Sequence, residues 1–485
     1  MAGKVDTTFV LAGGFSGYNS TVLSSLLLPN GQIIIGGDFI SYNDGTNTYD
    51  CNAIARLNSD GSFDTSFVYG PGKGFMAVPR PAVYSLALKS DGKIIVGGYF
   101  TSYIDGTSTY DCKHIARLNS DGSFDTSFVY GPGTGFSGSF SFVNTLALQL
   151  DGKIVVGGIF TSYSDGITAY VCSNVARLNS NGSFDTSFVY GPGTGFSGIN
   201  SFVNILILQP NGKIILGGYF TSYTDGTSTY VCKDIARLNT NGSFDTSFVY
   251  GPGKGFNGSG DYVLALLIQP NGKIIVGGDF TTYTDGANTY DCGKIARLNS
   301  DGSLDVNFVH GSGTGLSGLY NLGYTLALQP NGQIILGGTF SAYTDGTSSY
   351  VCRNIARLNT NGSFDTSFVY GPGKGFTGQY VITLALQPNG RVVIGGQFPG
   401  YNDGTQYSNG NIIRLIAYPV NFQGGNAGNR IGSSVKLSSL KVRGDFKLPI
   451  SNNPGQNAGT ISMDSLGIFL KIRKPDGSVG VVPIL

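Results

Sequence analysis

The sequence predicts an all-β protein, and three observations lead to this prediction. Turn-forming and aromatic residues are abundant, with 76 Gly, 28 Tyr and 31 Phe in 485 residues. Helix-favouring residues are scarce, since all 29 acidic residues are Asp and the chain contains no Glu. A stretch close to Gly-Lys-Ile-Ile-Val-Gly-Gly recurs seven times, at steps of 61, 60, 60, 60, 60 and 58 residues. Such a fixed period indicates one supersecondary unit that is copied seven times.

One repeat is interpreted as four strands joined by hairpins. In the fourth copy, residues 205–208 and 213–216 flank a Pro-Asn-Gly turn, while residues 235–238 and 243–249 flank an Asn-Gly turn. The glycine pair at 217–218 indicates a bulge or a close backbone approach. Four antiparallel strands in each of seven units are typical of a β-propeller, because radial stacking buries both faces of every sheet.

The two ends of the repeat region complement each other. Residues 5–10 have the pattern of the fourth strand, and the seventh copy stops after its third strand at residues 412–415. The N-terminal strand would complete the last blade and remove two free strand edges. We therefore predict a seven-bladed β-propeller over residues 1–418, closed by strand 5–10, and a small basic β-rich C-terminal domain or arm over residues 419–485.

The repeats also resemble a known family. The motifs Asp/Asn-Gly-Lys-Ile-Ile-Val-Gly-Gly and Ile-Ala-Arg-Leu-Asn over residues 1–415 are similar to those of the delta-60 repeat family, which has propeller-type repeats of about this length. The resemblance implies a fold and a scaffold role, and it implies no reaction.

Two polar residues recur in the third and fourth strands of every copy, as Arg237 and Asp245 do in the fourth. A hairpin of this length brings them together, and the planar fork of Arg suits a partly buried pair with a carboxylate. We expect structural Arg–Asp pairs. An anion-binding ring is the functional alternative.

The polar loops carry the candidate binding residues. Each loop contains an Asp followed by Gly, and these are Asp44, Asp105, Asp165, Asp225, Asp285, Asp345 and Asp403. Each also contains a Tyr a few residues later, and these are Tyr49, Tyr110, Tyr170, Tyr230, Tyr290, Tyr350 and Tyr407. Asp-Gly is first a turn signal, and one Asp per motif is too few for a calcium loop. The Tyr rings could stack on the apolar face of a sugar, and the alternative is that they cover strand edges.

Other chemistry is sparse. The six Cys recur once per copy in the first six copies, so we expect free, buried thiols and no disulfides. With two His and no Cys-x-x-Cys, we expect no metal site and no cofactor. Seven near-identical units offer no asymmetric catalytic set, so the sequence predicts that the protein is not an enzyme.

The C-terminal 67 residues carry eight Lys and Arg against three Asp, a net charge of +5. Strands are expected at 434–442, 445–449, 467–473 and 477–484. Residues 429–437 resemble a segment of small-virus capsid proteins. Candidate docking residues are Arg430, Lys436, Lys441, Arg443, Lys471, Arg473 and Lys474.

Together these patterns predict a structural or adhesion protein. The preferred setting is a virion, assembled in a host cytoplasm, in which the C-terminal domain binds other subunits. The N-terminus lacks the apolar core of a secretory signal, and no apolar run is long enough for a membrane span. The alternative is a multivalent carbohydrate-binding propeller that recognises host-surface glycan, or reaches a cell surface by a non-classical route. An enzyme on a propeller scaffold is the third alternative. We expect no nucleic-acid partner and no membrane insertion, since the net charge is only +1.

Overall fold

The computed structural model describes residues 2–10, 13–106, 108–258, 260–286, 288–318 and 320–417, together with four strands beyond them. Every regular element in this part of the chain is a β-strand, and no helix there could cross a membrane. The all-β prediction is confirmed. The chain divides into two compact units, Met1–Asn421 and Phe422–Leu485.

Each repeat forms a main sheet of three antiparallel strands in the order first, second, third. The first strands are Thr21–Leu27, Ala82–Leu88, Phe142–Leu148, Phe202–Leu208, Tyr262–Ile268, Leu322–Leu328 and Tyr380–Leu386. The second strands are Ile33–Asp38, Ile94–Tyr99, Ile154–Ile159, Ile214–Tyr219, Ile274–Asp279, Ile334–Thr339 and Arg391–Gln397. The third strands are Ile54–Leu57, Ile115–Leu118, Val175–Leu178, Ile235–Leu238, Ile295–Leu298, Ile355–Leu358 and Ile412–Ile416.

A second, small sheet of three short strands accompanies each main sheet. Its first strands, which precede the main sheet in the chain, are Gly14–Ser16, Gly74–Met76, Gly135–Ser137, Gly195–Ser197, Gly255–Asn257, Gly315–Ser317 and Gly375–Thr377. Its central strands are Ser41–Asn43, Ser102–Ile104, Ser162–Ser164, Ser222–Thr224, Thr282–Thr284, Ala342–Thr344 and Gly400–Asn402. Its last strands are Thr48–Asp50, Thr109–Asp111, Ala169–Val171, Thr229–Val231, Thr289–Asp291, Ser349–Val351 and Tyr407–Asn409. The segment predicted as a polar loop is therefore largely a hairpin.

The predicted fourth strand is reduced in most repeats to one bridge. In the fourth repeat, Leu238 bridges Phe244, and the chain then turns. The Phe248 amide donates to the Asp245 carbonyl at 3.2 Å, and the Ser247 amide donates to the Asp245 carboxylate at 3.1 Å. These two bonds fold residues 245–248 into a turn, which ends the extended conformation.

The seventh main sheet has a fourth strand, and it comes from the N-terminus. Lys4–Val5 pairs antiparallel with Leu415 and Ile416 of the third strand. The predicted N-terminal strand at 5–10 thus pairs where expected, although it is shorter and begins one residue earlier.

The two glycines of the repeated pair lie so close to neighbouring groups that a side chain would not fit, as the fourth repeat shows. A Cβ atom on Gly217 would overlap Val263 of the next repeat, and one on Gly218 would overlap the Phe202 carbonyl across the sheet. The strand register shifts opposite this pair, between Val203 and Ile205, so a bulge and a close approach are both present.

Buried apolar clusters lie between successive repeats. One joins Val155 of the third repeat to Val203 and Leu216 of the fourth. Another joins Val22 of the first repeat to Val393 of the seventh. Each repeat therefore buries its apolar surface against its neighbours, as propeller repeats do.

The second unit contains one antiparallel sheet with the order Phe446–Lys447, Gly459–Asp464, Gly467–Arg473 and Val479–Pro483. The strand predicted at 467–473 coincides with the third of these. The strand at Gly459–Asp464 was not predicted, and the one predicted at 434–442 lies outside the described residues.

Candidate functional site

The repeated Arg of the third strand joins two neighbouring repeats. Nε of Arg237 donates to Oδ2 of Asp245 at 2.5 Å, and one terminal nitrogen donates to the Ser247 hydroxyl at 2.9 Å. The other terminal nitrogen donates to the Ser300 carbonyl of the next repeat. The guanidinium also lies over the Phe248 ring, 4.9 Å from its centroid. All three nitrogens are used inside the protein, which argues against an anion-binding ring.

The same pair occurs in all seven repeats, with N–O distances between 2.5 and 2.7 Å. The pairs are Arg56 with Asp64, Arg117 with Asp125, Arg177 with Asp185, Arg237 with Asp245, Arg297 with Asp305, Arg357 with Asp365, and Arg414 with Asp6. The predicted Arg–Asp pairs are confirmed. The last pair joins the seventh repeat to the N-terminal segment, and Arg414 also donates to the Ser59 carbonyl of the first repeat.

Burial opposes ionisation of these carboxyl groups, but their donors outweigh it. The pKa of Asp305 falls to about 2, because hydrogen bonds from Lys273, Asn307 and Arg297 stabilise the carboxylate. The pairs are therefore charged at neutral pH and bind the repeats together.

A first set of repeated Tyr residues is fully buried. Each hydroxyl donates to a glycine carbonyl of the turn after the third strand, as Tyr223 does to Gly242 at 2.6 Å. In the seventh repeat, Tyr401 donates instead to Gly3 at 2.7 Å. These Tyr residues hold the small sheet against the turn.

The Asp-Gly residues anchor their loops. Oδ1 of Asp225 accepts from the Thr227 and Ser228 amides, and Oδ2 accepts from the Phe244 amide at 3.3 Å. Burial raises the pKa of Asp403, but bonds from the Val5 amide and the loop outweigh it and lower the pKa to about 2. Both carboxylate oxygens are thus committed to backbone donors. The described residues contain no group of three or more His, Cys, Asp or Glu side chains that could hold a metal ion.

Six of the seven candidate binding Tyr residues are half-buried and pack against other aromatic rings, whereas Tyr407 is exposed. Tyr230 stacks on Phe244 at 4.4 Å between centroids, and Tyr250 meets Phe244 edge-on at 5.3 Å. The same trio occurs as Tyr49, Phe63 and Tyr69; Tyr110, Phe124 and Tyr130; Tyr170, Phe184 and Tyr190; and Tyr350, Phe364 and Tyr370. In the fifth repeat, Tyr290 meets His310 instead.

The third member of each trio was not singled out from the sequence. It stands in the repeated Phe-Val-Tyr-Gly-Pro-Gly segment, which could have revealed it. Tyr130 and Tyr190 are 42% and 41% exposed, and Tyr407 of the seventh repeat is 53% exposed. These rings present aromatic surface to solvent.

The segments that precede the first strands differ between repeats, and they carry exposed apolar side chains. Val78, Phe140 and Ile199 are 82–87% exposed, and Tyr320 is 64% exposed. Since these residues occupy corresponding segments, they project from the same end of their repeats. This uneven surface contrasts with the uniform rings.

Two clefts border the segment before the first strand of the seventh repeat, which is shorter than the corresponding segments of the other repeats. A cleft of about 550 Å³ is lined by Asn19, Gln379 and Gln397, where the seventh repeat meets the first. A second, of about 330 Å³, is lined by Tyr320 and Asn354 of the sixth repeat.

The candidate docking residues can be placed only in part. Lys471 and Arg473 belong to the strand Gly467–Arg473. The others, Arg430, Lys436, Lys441, Arg443 and Lys474, lie outside the described residues. The six Cys residues are free and buried, as expected.

Six segments of the chain match the family described as "Domain of unknown function (DUF5122) beta-propeller". They are residues 28–67, 89–128, 149–188, 209–248, 269–308 and 329–368. No curated protein matches the chain. The match is to propeller repeats, and the delta-60 and capsid resemblances remain predictions.

Solved structures with similar folds have low identity to the chain. The WD40 domain of Neurospora crassa Pan2 is 9% identical, with 84% of this chain and 95% of that chain covered and a TM-score of 0.46. The WD40 domain of Doa1 is 13% identical, with 84% and 96% covered and a TM-score of 0.43. A virginiamycin B lyase from Staphylococcus aureus, solved with quinupristin, is 11% identical, with 81% and 94% covered and a TM-score of 0.37.

The lyase corrects one prediction. We expected from the uniform repeats that the chain is not an enzyme, and this inference was wrong, because the similar propellers include an enzyme. The likeness assigns no reaction to this chain. With its six family matches and its seven pairs of sheets, the chain is a propeller-repeat protein of all-β structure.

Proposed function

We propose that the chain is an adhesion and display protein of a larger assembly. Its seven repeats would form one closed seven-bladed propeller, completed by the N-terminal strand, and residues 419–485 would anchor it. The bonds of Arg414 to Asp6 and to the Ser59 carbonyl support closure, as does the bond of Tyr401 to Gly3. A virion is the setting that we infer from the sequence.

One observation carries this proposal: the repeated polar residues lie inside the protein, whereas exposed apolar residues lie on the segments that vary. The repeated Arg, Asp and buried Tyr residues all bond inside the protein, so they give a rigid scaffold. The exposed apolar residues Val78, Phe140, Ile199 and Tyr320 lie on the segments that differ between repeats. Variable, exposed apolar groups on a rigid frame are typical of a protein-binding surface.

The anchor is tested by comparing the intact chain with a truncation that ends at residue 418. Light scattering and electron microscopy would report the assembly state of each. We expect only the intact chain to self-associate or to join a particle. Equal assembly of both would contradict an anchoring role for residues 419–485.

The displayed surface is tested by the double substitution Phe140→Ser and Ile199→Ser. Both side chains are exposed, so the fold should be retained while adhesion to the partner or host surface is lost. Leu150→Ser is the matched control, because Leu150 is also fully exposed but lies in the turn between two main-sheet strands. Equal adhesion of the double variant and the control would argue against this surface.

A second candidate is multivalent glycan capture by the aromatic trios and, in the seventh repeat, by Tyr407. The observation that favours it is the exposure of Tyr130, Tyr190 and Tyr407, since exposed rings can stack on sugars. Several weak sites on one protein would act together. On a glycan array, Tyr130→Ala with Tyr190→Ala should weaken capture, and Phe140→Ser should not. Unchanged capture by the Tyr variant would remove this candidate.

A further inference from the structure

One buried position differs in chemistry from repeat to repeat. It directly precedes the third strand, and its residues are Ala53, His114, Asn174, Asp234, Lys294, Asn354 and Asn411. All are at least nine-tenths buried. A buried polar side chain must find partners there, and each repeat supplies different ones.

Where the residue is Asn, its amide links two repeats. Oδ1 of Asn174 accepts from the Phe160 amide at 3.3 Å. Nδ2 donates to the Phe196 carbonyl at 3.3 Å, and to the carbonyl and hydroxyl oxygens of Ser201 at 3.0 Å each. Asn411 likewise donates to the carbonyls of Phe15 and Ser20 in the first repeat. The amide nitrogen therefore faces a group of oxygen acceptors.

Asp234 takes the same position with a carboxylate. Its backbone has φ of 65°, against 66° for Asn174, and its Oδ1 accepts from the Phe220 amide at 3.2 Å. Oδ2 must then occupy the place of the donating amide nitrogen. Asp234 is 1% exposed, and Oδ2 has no hydrogen-bond partner. An acceptor stands where the three Asn repeats have a donor.

The next repeat adds a second acceptor of the same kind. Asp261 stands at the position of Ser201, and its Oδ1 is also buried without a partner. Its Oδ2 pairs with Lys233 at 3.0 Å. Lys294, which takes the position of Asp234 in the fifth repeat, is bound to Asp279 at 2.5 Å. Burial, and to a smaller extent the Asp261 charge, raise the pKa of Asp234 to about 8 against the opposing effects of the Phe220 amide and Lys233. Oδ2 of Asp234 and Oδ1 of Asp261 are thus left without a partner, and the one ammonium of Lys233 is bound at the other oxygen of Asp261.

We propose that a hard metal cation, best matched by Ca²⁺, binds between the fourth and fifth repeats at Asp234 Oδ2 and Asp261 Oδ1. Phe256 and Asp261 stand at the repeat positions of Phe196 and Ser201, so their carbonyls correspond to the acceptors that Asn174 contacts. A site of carboxylate and carbonyl oxygens completed by water is the kind that Ca²⁺ accepts. The cation would supply the positive charge that the amide N–H groups supply elsewhere. From the sequence we expected no metal site, and neither Asp belongs to a metal-binding motif.

The test uses the full chain, freed of metal by chelation and dialysed at fixed ionic strength. Calorimetric titration with CaCl₂ should show about one site per chain. The Tm should rise with the logarithm of the Ca²⁺ concentration, since only the folded state binds. Asp234→Asn restores the residue that three other repeats carry, so it should fold, lose the Ca²⁺ response and be at least as stable as the wild type without metal.

Asp151→Asn is the matched control. Asp151 is an exposed turn residue, and the corresponding turns of later repeats carry Asn, so this variant should keep the full response. Absence of any Ca²⁺ response in the wild type would overturn the proposal, as would an equal response in Asp234→Asn. An equal Tm rise with Mg²⁺ and with Na⁺ at matched ionic strength would indicate charge screening and would also overturn it. A Tm that ignores Ca²⁺ but falls, only in the wild type, as the pH rises from about 4 to about 8 would mean that the carboxylates share a proton, and it would overturn the proposal.

Discussion

Two positions three residues apart in each repeat behave in opposite ways. The Arg at 237 is the same in all seven repeats, and in each it pairs with an Asp and donates to a backbone carbonyl of the next repeat. The residue at 234 is equally buried, yet it is Asp only here and is Ala, His, Asn or Lys in the other repeats. The uniform position holds the scaffold together. The variable position shows that a repeated frame can host local chemistry that differs at each junction.

At the uniform position, the substitution with the largest expected effect on stability is Arg237→Ala. It leaves Asp245 buried and removes the bond to the Ser300 carbonyl of the next repeat, so unfolding should be easier by about 3–5 kcal/mol. Urea unfolding followed by circular dichroism measures this. The matched control is Lys213→Gln, because Gln333 fills that position in the sixth repeat and also bonds the paired Asp, at 2.7 Å. A loss no larger than that of the control would contradict the role of the Arg.

The variable position should respond to pH where it is His114. Burial, together with the charge of Lys113, lowers the pKa of His114 to about 4. The unfolded chain protonates near pH 6.5, so it binds the proton first, and the folded state loses stability as pH falls from 6.5 towards 4. The loss is up to about 3 kcal/mol, at about 1.4 kcal/mol per pKa unit.

His114→Asn should remove this slope, since Asn occupies the position in other repeats. Thermal unfolding between pH 4 and 7 compares the two proteins. Parallel profiles would show that the pH dependence comes from elsewhere.

The close contact between neighbouring repeats can be tested by substituting the first glycine of the repeated pair. Gly217→Ala forces a methyl group into Val263, and overpacking of this kind costs about 1–3 kcal/mol. Gly277→Ala is the matched variant, because Gly323 replaces the Val there and the nearest atom, its carbonyl oxygen, is 3.2 Å away. Chemical unfolding should show a clearly smaller loss for Gly277→Ala. Equal losses would mean that the backbone, and not the facing Val, sets the requirement for glycine.

The smallest expected effect is that of Tyr223→Phe. It removes the hydroxyl that donates to the Gly242 carbonyl at 2.6 Å, and the cost should be about 1 kcal/mol. Tyr230→Phe, on a half-buried ring of the same small sheet, should cost less. A reversed order in denaturant midpoints would contradict the structural role of the buried Tyr.

The sequence predicted the features that depend on the period. The repeat length, the pairing of residue 5 with the end of the repeat region, and the Arg–Asp pairs all follow from residues that recur at fixed spacing. The small sheets were missed because their strands are three residues long and rich in Thr, Ser and Asp, which are typical of loops. The fourth strand was overestimated because Asp245 bonds its own following backbone, and strand propensity does not reveal such a turn.

The surroundings of the variable buried residue could not be predicted from the sequence pattern alone. Asp234 stands beside Lys233 in the sequence, which suggests a solvated charge pair. Only the fold shows that Lys233 bonds Asp261 and Asn257, while Asp234 points into a junction between repeats. Whether a single polar residue is buried depends on the residues of the neighbouring repeat that cover it. These residues are distant in the sequence, so the local sequence does not reveal the burial.

The pairing of the N-terminal strand has a consequence for how the protein is made. Asp6 and its partner Arg414 are 408 residues apart in the chain. At a synthesis rate of about 5–20 residues per second, the first segment to leave the ribosome waits roughly 20–80 seconds for its partner. During that time the six earlier repeats can fold onto one another, while the N-terminal strand has no edge to pair with. Its docking is therefore the last event in the folding of the repeat region.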